Sequence, residues 1–289
     1  QTGKTKKKSS FINENCSPKG DEKLNYTCYT KKGLIKLREL WNLRHPDRMI
    51  KTSKPNQIWN ELKNAMSDTC DRESCWLKHY SVKNDIDIEG SLFKNFAPKQ
   101  PESWNKNPNE WLSSIEISQL MKQYESVHKD FNFIGPSPID FDSHRYDGSC
   151  VWEELCTFNL KNQIKNKKTK IGIIFNLDKH TQNGSHWVCM FINIKKRKIY
   201  YFDSYGEKMP KEIKKFANKL ILQSREMGKP FKLVINKKRF QYSDSECGMF
   251  CLYIIVELLK GTKISSLTKK NVYDKKMIKL RQKYFNINF

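Results

Sequence analysis

The chain lacks any run of about 18 apolar residues, the length a helix needs to cross a bilayer. No membrane span is expected. Its first residues are basic and polar, with no apolar signal core. Acidic charge is scarce: 31 Asp and Glu stand against 54 Lys and Arg, for a net charge of +23 over 289 residues. Such a charge attracts polyanions, although a composition rich in Lys, Asn and Ile is also what an AT-rich coding bias leaves. The nine cysteines form no dense disulfide framework and include no Cys-x-x-Cys knuckle. Eleven residues separate Cys16 from Cys28 and four separate Cys70 from Cys75, the wrong gaps for a zinc site. These four read as buried structural thiols, and a reducing compartment is expected. No metal or cofactor is expected.

With 37% hydrophobic and 12% aromatic residues, the chain can build a sizeable core. Residues 1–10, carrying Lys4, Lys6, Lys7 and Lys8, read as a basic disordered tail. Residues 11–100 read as a helical arm. Leu34, Leu37, Leu40 and Trp41 recur at helical spacing, as do Ile58, Leu62 and Met66, with Trp41 and Trp59 in the core. Three prolines between 97 and 111 predict a linker or long surface loop, with a boundary near residue 100. Beyond it, over 101–289, helical and strand patterns alternate. A helix is predicted from Ser113 to His128 and a buried strand from Lys170 to Leu177. An amphipathic helix follows from Glu212 to Leu222 and a strand from Phe231 to Ile235. This is an α+β pattern.

The chemistry gathers at Gln241-Tyr-Ser-Asp-Ser-Glu-Cys247-Gly248, which runs into the apolar stretch Met249 to Leu259. Eleven such residues read as a buried helix with Cys247 at its start, and Ser243, Asp244 and Ser245 are cap-forming types. A thiol there feels the positive end of the helix dipole, which favours the nucleophilic thiolate. Upstream, His186-Trp187 leads one β-type segment, and Asp203-Ser204 ends a second. Lys195 to Lys198 lies between them, so the pair reads as a hairpin that sets His186 beside Asp203. A thiol, an imidazole and a carboxylate that orients it form an activated nucleophile. Gln241 offers an amide donor to an oxyanion. His144 and His180 lack the strand context of His186, and Cys189 and Cys251 are expected to be buried and inert.

His186-Trp187, Asp203-Ser204 seventeen residues on, and Gln241 with Glu246-Cys247-Gly248 resemble the SUMO-deconjugating cysteine proteases. They look still closer to that clan's viral members, the polyprotein-processing protease of African swine fever virus and the thiol proteases of giant DNA viruses such as mimivirus. Adenovirus protease is a more distant likeness. The resemblance implies a papain-like α+β fold with a central mixed sheet and a permuted triad. It implies catalysis by Cys247, His186 and Asp203, with Gln241 in the oxyanion hole. It makes Trp187 the roof of a narrow cleft, hence cleavage after Gly-Gly-like pairs in viral structural polyproteins or core proteins. Asp203 matches the cellular enzymes, the swine fever relative having Asn there. The expected setting is the virion and the host cytoplasm. By analogy with adenovirus, salt-sensitive DNA binding is expected through Lys165-Lys170 and Lys237-Arg239. The other readings are a host SUMO or ubiquitin-like deconjugase, an acetyltransferase, and a non-catalytic nucleic-acid-binding virion protein.

Overall fold

The computed structural model describes residues 11–18, 24–78, 92–269 and 272–287; the basic tail lies outside them. The chain divides into two compact units, 1–99 with 283–287, and 100–282 with 288–289.

The first unit is built on helices α1 (Lys31–Arg44), α2 (Pro55–Ala65) and the short α3 (Glu73–Lys78). Thr30 caps α1 by accepting from the Gly33 N–H, and Pro55 opens α2, where a missing donor costs nothing. Leu34, Leu37, Ile58, Leu62 and Trp76 are almost wholly buried between them. Trp76 stacks on Tyr29 at 5.8 Å. The buried carboxylate of Glu73 accepts from the Cys28 N–H at 2.8 Å and from the Trp59 indole. Burial raises its pKa despite these donors. Asn286 completes this unit: its side chain receives the Asn15 N–H at 2.7 Å and donates to Asn15 O at 2.9 Å.

The cysteine expectation is corrected here. Cys16–Cys28, Cys70–Cys75 and Cys150–Cys156 are disulfides, leaving Cys189, Cys247 and Cys251 free. Each pair meets because the backbone folds back on itself, so spacing alone did not reveal it. The cysteine count therefore carries no argument for a reducing compartment.

The second unit is a five-stranded mixed sheet in the order β1 to β5: Phe131–Ser137, Lys170–Asn176, Trp187–Asn193, Lys198–Phe202 and Lys232–Ile235. β1 runs parallel to β2 and β4 to β5, while β2–β3 and β3–β4 are antiparallel. Both faces are covered, so β2 and β3 read as near-continuous apolar runs. On one face, Ile171, Ile173, Val188, Met190 and Ile199 form a core with Ile213, Phe216, Ala217 and Leu220. The last four lie on an amphipathic helix, Lys211–Glu226. Against β2 and β3 also lies the helix Cys247–Leu259, buried at every position but Glu257. The helix Ser114–Val127 packs on β1, and its first turn is closed by a capping box between Ser113 and Glu116. The proline-rich stretch is less free than a linker: Trp104 is buried beneath the Arg281 guanidinium, 4.4 Å from its ring. No helix of the described residues is long and apolar enough to cross a membrane.

Candidate active site

The β3–β4 hairpin delivers the base and its carboxylate. Its last pair is Cys189 with Phe202. Continuing that register by three residues sets His186 across from Tyr205, with Asp203 between. His186 Nε2 lies 2.7 Å from Asp203 Oδ1, and the imidazole stacks on the Tyr205 ring at 4.7 Å and 16°. Asp203 is almost fully buried and is itself held: Oδ1 accepts from the Tyr205 N–H and Oδ2 from the Glu207 N–H. The turn needs Gly206, whose φ is +74° and where a Cβ would sit 2.8 Å from the Lys238 carbonyl carbon.

With Nε2 committed to Asp203, Nδ1 is the ring nitrogen left to serve Cys247. Burial alone would lower the His186 pKa. Its hydrogen bonds to Asp203 and Cys247, and their charges, outweigh burial and raise it to about 9. The ring is therefore an imidazolium at neutral pH, facing the Cys247 sulfur. Cys247 is 1% exposed at the first position of its helix, where backbone N–H groups lack intrahelical acceptors.

The expected caps do not form. Glu246 occupies the N-cap position with no side-chain cap bond, and its carboxylate instead meets Arg281 Nη2 at 3.2 Å. Both groups are buried, and burial raises the Glu246 pKa and lowers that of Arg281 against the pull of their pairing. Arg281 also donates to Glu110 O at 2.7 Å, and Asp274 Oδ2 accepts from the Tyr242 and Ser243 N–H groups. Arg281 and Asp274 share the C-terminal helix Asp274–Tyr284, which thus grips the loop before Cys247 at two points.

Gln241 is fully buried. Its Oε1 accepts from Ser204 Oγ at 2.6 Å and its Nε2 donates to Ser243 O at 2.7 Å. The second N–H has only a 3.4 Å contact with the Tyr205 hydroxyl. Arg239 donates to Gln241 O and lies between the Tyr205 and Tyr242 rings, 5.1 Å from each. Tyr205, Asp274 and Arg281 are site residues that sequence reasoning missed, none in a pattern that announces a role; Ser204 entered only as part of the Asp203-Ser204 motif, and Arg239 only as part of a segment expected to meet DNA.

Trp187 donates its indole N–H to Leu112 O at 2.9 Å. Beside it the space at Gly248 is tight: a Cβ there would come 3.1 Å from Leu112 Cβ and 3.3 Å from Trp187 Cδ1. Trp187 also lines a groove of about 540 Å³, with Trp111, Arg145, Trp152, Asp178 and His180. His180 is held by Asp140 at 2.7 Å rather than by a thiol. Cys189 and Cys251 are buried behind the site, and burial pushes the Cys251 thiol well up. Of the basic segments expected to meet DNA, Lys168 donates to Phe131 O, Lys170 pairs with Asp130, and Lys238 lies over the Phe240 ring.

A buried thiol at a helix start, an imidazolium and a carboxylate on a mixed sheet define a cysteine protease of the SUMO-protease type. Residues 116–288 match the Ulp1 protease family, C-terminal catalytic domain, and the chain belongs to that family. It is 28% identical to a thiol protease of Acanthamoeba polyphaga mimivirus, covering 93% of this chain and 92% of that protein. It is 26% identical to a cysteine protease of African swine fever virus, covering 75% and 84%. The crystal structure of an African swine fever virus protease superposes with a TM-score of 0.66 at 21% identity, covering 95% and 96%, and so shares the fold.

Proposed function

We propose that the chain is an endopeptidase that cuts viral structural polyproteins or core proteins after Gly-Gly-like pairs during virion maturation. The Cys247 thiolate attacks the scissile carbonyl. His186 protonates the leaving amine through Nδ1, and Asp203 holds the ring in place through Nε2. The Cys247 N–H and the second N–H of Gln241 stabilise the oxyanion, and water then releases the acyl-enzyme. The observation that carries the reading is the 2.7 Å His186–Asp203 contact, on a ring whose pKa both Asp203 and Cys247 raise. The 1% exposure of Cys247 and the tight space around Gly248 support small residues before the scissile bond.

The swine fever relatives include proteins named SUMO-1 cysteine protease, so a host deconjugase is the competing substrate class. Parallel hydrolysis of a SUMO–fluorophore conjugate and a Gly-Gly-X peptide separates the two, and mass spectrometry of cleaved virion proteins gives the consensus. Faster turnover of the SUMO conjugate than of any viral peptide would replace the maturation reading. The setting that follows is the virion and the host cytoplasm. DNA is a second proposed partner, supported by the net charge of +23. Because Lys168, Lys170 and Lys238 have partners within the chain, this association rests on diffuse charge and weakens as salt rises.

A further inference from the structure

Among the described residues, one group of metal-ligating side chains converges outside the His186–Cys247 centre. The ligand atoms of His144, Cys150 and Cys156 all lie within 4.8 Å of one another. In this structure Cys150 and Cys156 are bonded to each other, and His144 Nε2 lies 3.6 Å from Cys150 Sγ. That spacing is informative. Zn–N and Zn–S bonds of roughly 2.1 and 2.3 Å, opened to a tetrahedral angle, put the nitrogen and sulfur about 3.6 Å apart.

The placement does not depend on the disulfide. His144 and Cys150 are bridge partners across a tight turn. The turn is closed by Arg145 N donating to Ser149 O at 2.8 Å and Val151 N donating to Ser143 O at 2.9 Å. Residues paired in this way send their side chains to the same face. Cys156 is fixed separately, at the end of the helical turn Glu153–Cys156, by its N–H to Trp152 O at 3.1 Å. Breaking the sulfur–sulfur bond therefore leaves the three residues gathered by the backbone, and the two sulfurs need only part to roughly 3.8 Å to share one zinc. His144 is exposed, which leaves a fourth coordination position open to solvent.

We propose that reduction turns this loop into a zinc site. A dithiol reductant gives two electrons and two protons to the Cys150–Cys156 bond and leaves as its own cyclic disulfide. A zinc ion then displaces both thiol protons and takes the His144 Nε2 lone pair, with water as fourth ligand. Two thiolates and an imidazole suit zinc over harder divalent cations. The loop also supplies Arg145, Val151 and Trp152 to the groove. The oxidised and zinc-bound forms each cross-link that wall, whereas the reduced, metal-free form leaves it loose.

The test uses the full chain carrying Cys247→Ala together with Cys16→Ser, Cys28→Ser, Cys70→Ser and Cys75→Ser, so that neither the catalytic thiol nor the thiols of the other two disulfides compete. The protein is reduced with a phosphine and titrated with Co²⁺ under anaerobic conditions. One equivalent of tetrahedral, thiolate-ligated cobalt absorption is expected, displaced by Zn²⁺. Adding Cys150→Ser or Cys156→Ser should abolish it. Adding His144→Ala, an exposed change that leaves packing intact, should weaken cobalt binding by more than about tenfold. Native mass spectrometry should find one zinc in the reduced form of this chain and none after oxidation. Cobalt absorption that survives Cys150→Ser or is indifferent to His144→Ala, or reduced protein that takes up no metal, would overturn the proposal.

Discussion

The two halves of the active site are held by different means. His186 and Asp203 stand at the open end of one hairpin, seventeen residues apart, and the register that pairs Cys189 with Phe202 suffices to bring them together. Cys247 and Gln241 stand on a loop whose shape is set from a distance. Arg281, 35 residues beyond Glu246, and Asp274, 31 residues beyond Ser243, fasten it to the C-terminal helix. Tyr205 joins the halves, its ring on the His186 imidazole and its hydroxyl 3.4 Å from Ser243 O. A locally coded half tolerates change elsewhere in the chain, whereas a remotely braced half does not.

The largest effects strike the reacting pair. Cys247→Ala should abolish peptide hydrolysis and leave the circular-dichroism spectrum and melting temperature near those of wild type, because a small residue replaces a small one. His186→Ala should cost nearly as much, and the double variant no more than either alone, since base and nucleophile act as a unit. Additive losses in kcat would dissolve that pairing. Gln241→Ala should lower kcat by about a hundredfold to a thousandfold, the usual result of removing one oxyanion donor, with KM little changed.

The comparison sharpens on Arg281. Arg281→Leu strands the buried Glu246 carboxylate and should destabilise the chain by roughly 3–5 kcal/mol in denaturant unfolding. The paired variant Arg281→Leu with Glu246→Leu removes both charges and should recover most of that loss. No recovery would mean that packing over Trp104, not the ion pair, braces the loop. Asp203→Asn should be the mildest, about tenfold in kcat, because one acceptor oxygen remains for the ring. A thousandfold loss there would show that the full negative charge on Asp203 is needed.

How much could be read from the sequence follows the same division. Apolar β-type runs, turn residues and the apolar run after Cys247 are local signals, and they located the hairpin and the nucleophile helix, whereas the order of the sheet depends on pairings between distant segments. The ion pair of Glu246 with Arg281 leaves no periodic trace, because a lone Arg on a basic C-terminal helix looks like any solvated lysine-rich face. The caps expected at Ser243 to Ser245 do not form because the helix begins at Cys247, which puts Glu246 at the N-cap with its carboxylate turned to Arg281. Disulfides at separations of 12, 5 and 6 residues depend on loop closure, which spacing does not encode. Residues 283–287, read as part of the catalytic region, belong to the first compact unit, where Asn286 binds Asn15 and Ala97.

His186 is held as an imidazolium against the Cys247 sulfur. A histidine whose pKa is raised from an ordinary value near 6.5 to about 9 keeps its proton through neutral pH. It loses the proton, and the interaction with Cys247, as pH rises through about 9. The direct measurement is the rate of iodoacetamide labelling at Cys247, followed by peptide mass spectrometry from pH 6 to 10, in wild type and His186→Ala. Wild type should label at least about tenfold faster than the variant near neutrality, and the ratio should fall towards one above pH 9. Two profiles that coincide across the whole range would contradict the account.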